Sequence, residues 1–288
     1  MDYFTDNFRL CLLDTFKAFK ELCDTYHLTY FAAYGTALGA VRHQGIIPWD
    51  DDIDVYMPRD SFDKFISLKG ELGLEHYDII FLSDKGYYAY FPKFIDTNTT
   101  VWENEELPFS CGVWIDIFAL DEFDESKSKD IHEKNLEFYS IYTKYFKSVR
   151  NANIMYLFDK LKQGNFKVAL KVLENIFYYH PNTNRFRKHL IQIINYFAKI
   201  KGQYYCCYLP EKKYSNIYPK NWFEEGVEMP FEDTSILLPK EYDKYLSAEY
   251  GDYMCPPPEH KRKSRHGHHF IDFKKHYTIE DIVKILKF

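Results

Sequence analysis

Four aspartates occupy five consecutive positions in G-I-I-P-W-D-D-D-I-D-V, Gly45 to Val55, between a tryptophan and an apolar run. Like charges a few ångströms apart repel, and ionised carboxylates beside a core are costly unless a cation or a hydrogen-bond network compensates them. The fold must therefore bring positive charge to this point. Ile53, Val55 and Met57 alternate with Asp52, Asp54 and Tyr56, the period-two pattern of a strand. Asp52 and Asp54 then leave the same face, their Cα atoms roughly 6 to 7 Å apart. Oxygen-only donors select Mg²⁺ or Mn²⁺, and Mg²⁺ characteristically sits on one or two carboxylates plus substrate phosphates.

Two further stretches complete this picture. Tyr34-Gly35-Thr36 follows a strand expected at Thr29 to Tyr34, with Thr36 capping a short helix to about His43. Free N–H groups at such a helix start favour phosphate, and glycine allows close approach. Near the helix end, Arg42 supplies a forked donor for a diphosphate and His43 a group that donates or relays a proton. Asp116, in W-I-D-I-F, interrupts an apolar strand from Val113 to Leu120 and is costly there unless it faces the same cation, or unless it is hydrogen-bonded or edge-facing. With Asp52 and Asp54 elsewhere in the chain, the shared-cation reading is favoured, and Asp116 is also the candidate base. Lys93 stands beside Asp96, to steady a phosphate or to form a surface salt bridge. Asp50 and Asp51 are read as ligands or, in preference, as supporting or turn residues, and Trp49 as stacking on a base or, in preference, as core.

The organisation is α+β. An amphipathic helix is predicted over 6–27, a short helix from Pro58 toward Leu68, and strands near Tyr77 to Leu82, Tyr87 to Ile95 and Gly112 to Phe118. Residues 126 to about 200 read as helical, with breaks at Gly164-Asn165 and His180 to Asn184. A β-rich stretch at Phe223 to Leu238 and a helix from Pro239 to Tyr250 lead into Pro256-Pro257-Pro258. Three regions are expected: a catalytic core over 1–125, a basic helical insert over 126–205 and a returning segment over 206–288. The net charge is −6, but Ser126 to Tyr205 holds 15 Lys and Arg against 5 Asp and Glu, a local +10. That is either a solvated lysine-rich face or a surface for an anionic partner such as a membrane. The six cysteines show no C-x-x-C pair, so no disulfide framework or zinc ribbon is expected. No signal peptide and no membrane-spanning run is read, giving the expectation of a soluble, cytoplasmic chain.

The run Y-G-T-A-L-G-A-V-R-H-Q-G-I-I-P-W-D-D-D-I-D-V resembles the hallmark of the LicD family, phosphotransferases that include bacterial phosphocholine transferases and fukutin-type ribitol-phosphate transferases. Trp114 to Asp121 resembles the later aspartate motif of that family, and Tyr245 to Glu259 its C-terminal signature. The resemblance spans about residues 25 to 266, without a motif in the basic middle. It implies a nucleotidyltransferase-like fold: a mixed sheet with flanking helices. It also implies transfer of a phospho-substituent, phosphocholine or alditol phosphate, from a CDP-activated donor to a glycan hydroxyl, releasing CMP. Asp52, Asp54 and Asp116 match the metal-binding carboxylates, and Gly35 and Thr36 the turn that faces the donor phosphates. Ala119 stands where the family often has proline. Arg262, Arg265 and His266 follow directly on the C-terminal signature, which suggests phosphate contact; the alternatives are a solvated basic tail or, less favoured by spacing, a zinc site of Cys255 and the tail histidines.

The acceptor is expected to be a cell-surface glycan precursor, lipid-linked, reached from the cytoplasmic face with the basic middle against anionic headgroups. No nucleic-acid partner is expected. Two rival readings use the same residues: a nucleotidyltransferase that moves NMP itself to a protein or small molecule, and a non-enzymatic protein binding Ca²⁺ or glycan. D-D-D-I-D lacks the alternating ligands and following glycine of an EF-hand, which counts against the last.

Overall fold

The computed structural model describes residues 3–150, 154–211, 217–263, 267 and 269–286. In chain order the helices are α1 (Tyr3–Tyr26), α2 (Tyr34–His43), α3 (Arg59–Ser67), α4 (Ser128–Val149), α5 (Ile154–Lys162), α6 (Phe166–Glu174), α7 (Thr183–Phe197), α8 (Tyr242–Tyr250) and α9 (Ile279–Leu286). The strands are β1 (Phe31–Ala32), β2 (Asp54–Pro58), β3 (Tyr77–Ile80), β4 (Lys93–Asp96), β5 (Thr100–Trp102), β6 (Trp114–Phe123), β7 (Tyr204–Cys206), β8 (Ile217–Pro219), β9 (Gly226–Phe231), β10 (Thr234–Pro239) and β11 (Phe270–Asp272). The class is α+β, as the alternation of patterns predicts.

The central sheet runs β1-β2-β6-β4-β3 and is mixed: β2 lies parallel to β6, and the other pairs are antiparallel. β6 is the longest strand. Its first half lies between β2 and β4, and its last three residues, Asp121 to Phe123, pair with β7, which in turn pairs with β8. The apolar stripe of α1 covers one face, where Phe16 and Phe19 are fully buried and Phe19 meets Phe94 of β4 at 5.8 Å between rings. Each such ring contributes about 1.5–3 kcal/mol by leaving water. α2 and α8 occupy the other face, on which Tyr34, Tyr56 and Tyr245 pack edge to face. A second apolar cluster joins α4 and α7 to Phe123 at the far end of β6, and a small third one lies between α5 and α6.

Three expectations are corrected. The run Tyr87 to Ile95 is strand only over β4; its aromatic first half is a loop in which Tyr87 is buried and donates to the Phe91 carbonyl at 2.7 Å, and Pro92 keeps pairing from starting earlier. The strand expected to end at Phe118 continues to Phe123, because its second half is buried against another cluster. Helix α2 starts two residues before Thr36, so Thr36 is not its cap. β5, β7, β8, β11 and α9 lie in segments for which no element was expected. No helix among the described residues is long and apolar enough to cross a membrane.

Candidate active site

Parallel pairing of β2 and β6 sets Asp54 directly beside Asp116, and antiparallel pairing of β4 sets Lys93 on the other side of Asp116. Register partners share a face. Lys93 Nζ lies 2.8 Å from Asp116 Oδ1 and 3.8 Å above the Trp114 ring, with only 3% of the lysine exposed. Lys93 is thus the internal counter-charge of Asp116, not a surface partner of Asp96. Burial works against its ammonium, but Asp116 and then Glu103 outweigh that and raise its pKa. Asp54 carries the opposite problem. Burial, followed by Asp52, Asp116 and Asp50, pushes its carboxyl well above the ordinary range, with Lys93 pulling the other way. Carboxylates of two separate chain segments therefore feel one another across one strand pair.

Local backbone locks this arrangement. Asp54 N–H donates to Thr36 Oγ1 at 2.8 Å, and Ala33 N–H donates to the Asp54 carbonyl at 2.9 Å, tying the start of α2 to the start of β2. Thr36 is 4% exposed with its hydroxyl so engaged, so it positions Asp54 from behind. Gly35 lines the cleft, as Tyr34 does. A Cβ there would come 2.6 Å from Asp50 Oδ2, so glycine is what lets the Asp50 carboxylate approach the first turn of α2, where the helix dipole favours an anion. Tyr34 enters the helix at φ 43°, in the left-handed region, held by its N–H donating to Tyr245 Oη at 2.8 Å.

Of these residues Tyr34, Gly35, Asp50 and Asp54 line a cleft of about 730 Å³; Thr36, Lys93 and Asp116 are not in its lining. Asp50, Asp52 and Asp54 lie along it, and Arg42, Lys261 and Lys263 also line it. Arg42 donates to the Tyr253 carbonyl at 2.8 Å, and burial, then the nearby Arg262, lowers its pKa. Arg262 donates to the Pro257 carbonyl at 2.8 Å, with its guanidinium 5.2 Å from the centre of the Trp49 ring. His43 packs edge to face with the same ring at 5.8 Å, and burial, then Arg42, lowers its pKa. Trp49 is partly buried and joins the core, as expected, while also bordering the cleft. His266 and Arg265 lie outside the described residues.

The structure brings Asp52, Asp54, Gly35 and Arg42 into the cleft, with Asp116 beside Asp54. Sequence reasoning missed Glu249, Tyr250, Asp252 and Tyr253, which line the cleft from the end of α8, and Tyr245, which pins Tyr34. It also missed Arg59, which grips Asp121 through two bonds of 2.7 and 2.6 Å inside the fold. The run Y-G-D-Y following an amphipathic helix was the available signal for the first group.

The fit to a divalent cation can be tested on the donors themselves. Among the described residues no three His, Cys, Asp or Glu side chains stand close enough to form a ready cage. A Mg²⁺ ion does not need one: one or two carboxylates and substrate phosphates suffice. The all-oxygen donor set, and the burial and then the neighbouring carboxylates that raise the Asp54 pKa, fit a cation of that kind.

Comparison with known proteins adds to the geometry. Residues 27–158 match the family model described as LicD/FKTN/FKRP, nucleotidyltransferase domain. The lipopolysaccharide cholinephosphotransferase LicD of Haemophilus influenzae is 27% identical over 266 residues, which cover 90% of this chain and 94% of that protein. The chain is thus similar to the LicD family over residues 27–158 and to one of its transferases over nearly its whole length. It is an enzyme, a transferase of phosphorus-containing groups. An uncharacterised protein of Rickettsia typhi is 30% identical over 160 residues, 55% of this chain and 41% of the relative. The matched family segment takes in β1 to β6 and α4, so the strand pair bearing Asp54 and Asp116 lies inside it.

Proposed function

We propose that this enzyme transfers phosphocholine from a CDP-linked donor to a hydroxyl of a lipopolysaccharide or related surface-glycan precursor and releases CMP. One observation carries the reading: a single cleft is lined by Asp50, Asp52 and Asp54 and by Arg42, Lys261 and Lys263, and Asp116 on the neighbouring strand is the register partner of Asp54. A diphosphate with its counter-cation is the ligand that satisfies both signs. Likeness over nearly the whole length of a cholinephosphotransferase selects choline as the head group.

In this reading Asp52, Asp54 and Asp116 would hold Mg²⁺ or Mn²⁺. When bound, that ion would neutralise charge on the diphosphate and on the departing CMP. Arg42, fixed by the Tyr253 carbonyl, orients the diphosphate with a forked donor, and Arg262, buttressed on Trp49, adds a second charge. Lys93 keeps Asp116 ionised and pointed along the sheet face. Asp116 takes the proton of the attacking hydroxyl as the new P–O bond forms and the bond to the CMP oxygen breaks. In this reading the trimethylammonium group meets Tyr250 and the carboxylates Glu249 and Asp252 of the cleft lining, a cation–π and ionic setting that an alditol would not use.

The test is incubation of the purified protein with Mg²⁺ and a panel of CDP-linked donors (choline, ribitol, glycerol), with and without lipid-linked glycan. CMP release fastest with CDP-choline supports the assignment. Release of free phosphocholine with CMP left on the acceptor, or equal turnover of all donors, rejects it.

A further inference from the structure

The α5–α6 region presents apolar side chains that its own packing does not use. Among the described residues the four most exposed large hydrophobics are Phe166 (66%), Leu170 (67%), Phe177 (71%) and Tyr178 (73%). Phe166, Leu170 and Phe177 are four and seven positions apart on α6 and the helical turn that continues it, so they form one stripe. α5, packed on α6, adds Phe158 at 56% and Leu161 at 38%. The stripe is not a missing piece of core, because the inward faces already have one: Tyr156, Leu157, Ala169 and Val172 are buried together. Nothing in the cleft reaches these residues.

Charge says what covers them. Lys162, Lys167 and Lys171 are exposed, alternate with the apolar positions, and form no salt bridge among the described residues. The surrounding span from Ser126 to Tyr205 is +10 while the rest of the chain is about −16 by subtraction from −6. Stripe-to-stripe pairing of two copies would set lysine against lysine, whereas an anionic lipid surface offers negative charge and an apolar layer together. Aromatic and leucine side chains that enter the headgroup boundary, with lysines held at the phosphates, are the pattern of an interfacial helix.

We infer that α6 and its continuation dock this enzyme on anionic membrane, the apolar stripe entering the headgroup layer. The docking is independent of the donor and acceptor assigned above. It would hold the cleft at the surface where lipid-linked acceptors reside.

Flotation with vesicles that contain no glycan tests this, using phosphatidylcholine alone and phosphatidylcholine mixed with phosphatidylglycerol. The full-length protein should float with the mixed vesicles, stay behind with the neutral ones, and be released by salt. The triple substitution Phe166→Ser, Leu170→Ser, Phe177→Ser should weaken binding on the order of tenfold, and so should Lys162→Ser, Lys167→Ser, Lys171→Ser. Unchanged circular dichroism of both variants would exclude misfolding as the cause, and should the apolar triple variant fail that control, the lysine variant carries the test. No flotation of the wild-type chain, or flotation indifferent to both variants, would overturn the proposal. So would self-association that the apolar variant abolishes in a protein that ignores vesicles.

Discussion

Asp54 and Asp116, sixty-two positions apart in the chain, are register partners on parallel strands, and the carboxyl of one is shifted by the charge of the other. Lys93 balances one of the two. The site therefore stores repulsion in the absence of a cation, and several measurable consequences follow from that.

If Asp54 holds the divalent cation as proposed, Asp54→Asn should remove turnover by roughly a thousandfold or more. In the absence of divalent cation the same change should raise stability by on the order of 1 kcal/mol at neutral pH. The sign follows from linkage. A carboxyl whose folded pKa lies above its unfolded 3.8 binds a proton on folding, so wild-type stability falls as pH rises from that value through the folded one. Thermal melts of both proteins from acid to neutral pH should diverge upward in pH, with the variant the more stable.

Lys93→Met should destabilise the fold by about 3–5 kcal/mol, because it strands a buried carboxylate. Adding Asp116→Asn should recover most of that loss, which urea unfolding of the two single variants and the double variant will measure. A lysine that served only substrate would show no such recovery.

Gly35→Ala forces a methyl group against Asp50, with a cost of about 1–3 kcal/mol and a displaced first turn of α2. Combined with Asp50→Gly the cost should shrink to a few tenths of a kcal/mol, again by urea unfolding. An equal penalty in both backgrounds would mean that the glycine answers to something other than Asp50.

Arg42→Lys and Arg262→Lys should each raise KM for the CDP-linked donor on the order of tenfold with little change in kcat, since lysine cannot reproduce a forked contact. Initial-rate kinetics at saturating acceptor separates the two constants. A loss confined to kcat would remove these residues from donor binding.

The aspartate strand, the helix before it and Asp116 were legible because period-two alternation and the cost of a buried charge are local signals. Asp54 could be placed on its strand without knowing what lay opposite, whereas Asp52, expected on the same strand, lies in the loop before it. Pairing was not legible: nothing local says that residue 93 faces residue 116, so Lys93 was paired with its sequence neighbour Asp96. Thr36 was read as a cap because its type suits one, but the Asp54 amide competes for its hydroxyl. The loop from Tyr87 to Phe91 mimicked a strand because its aromatics pack singly into the core. The wall from Glu249 to Tyr253 closes the cleft only through long-range contacts such as that of Tyr245 with Tyr34.

The direction of transfer is tested most directly by CDP-choline labelled separately in each phosphate, followed to glycan and to nucleotide. The account predicts that label in the choline-proximal phosphate appears on the glycan while label in the nucleotide-proximal phosphate leaves with CMP, both strictly requiring Asp54 and Asp116. Nucleotide-proximal label on the acceptor would contradict it.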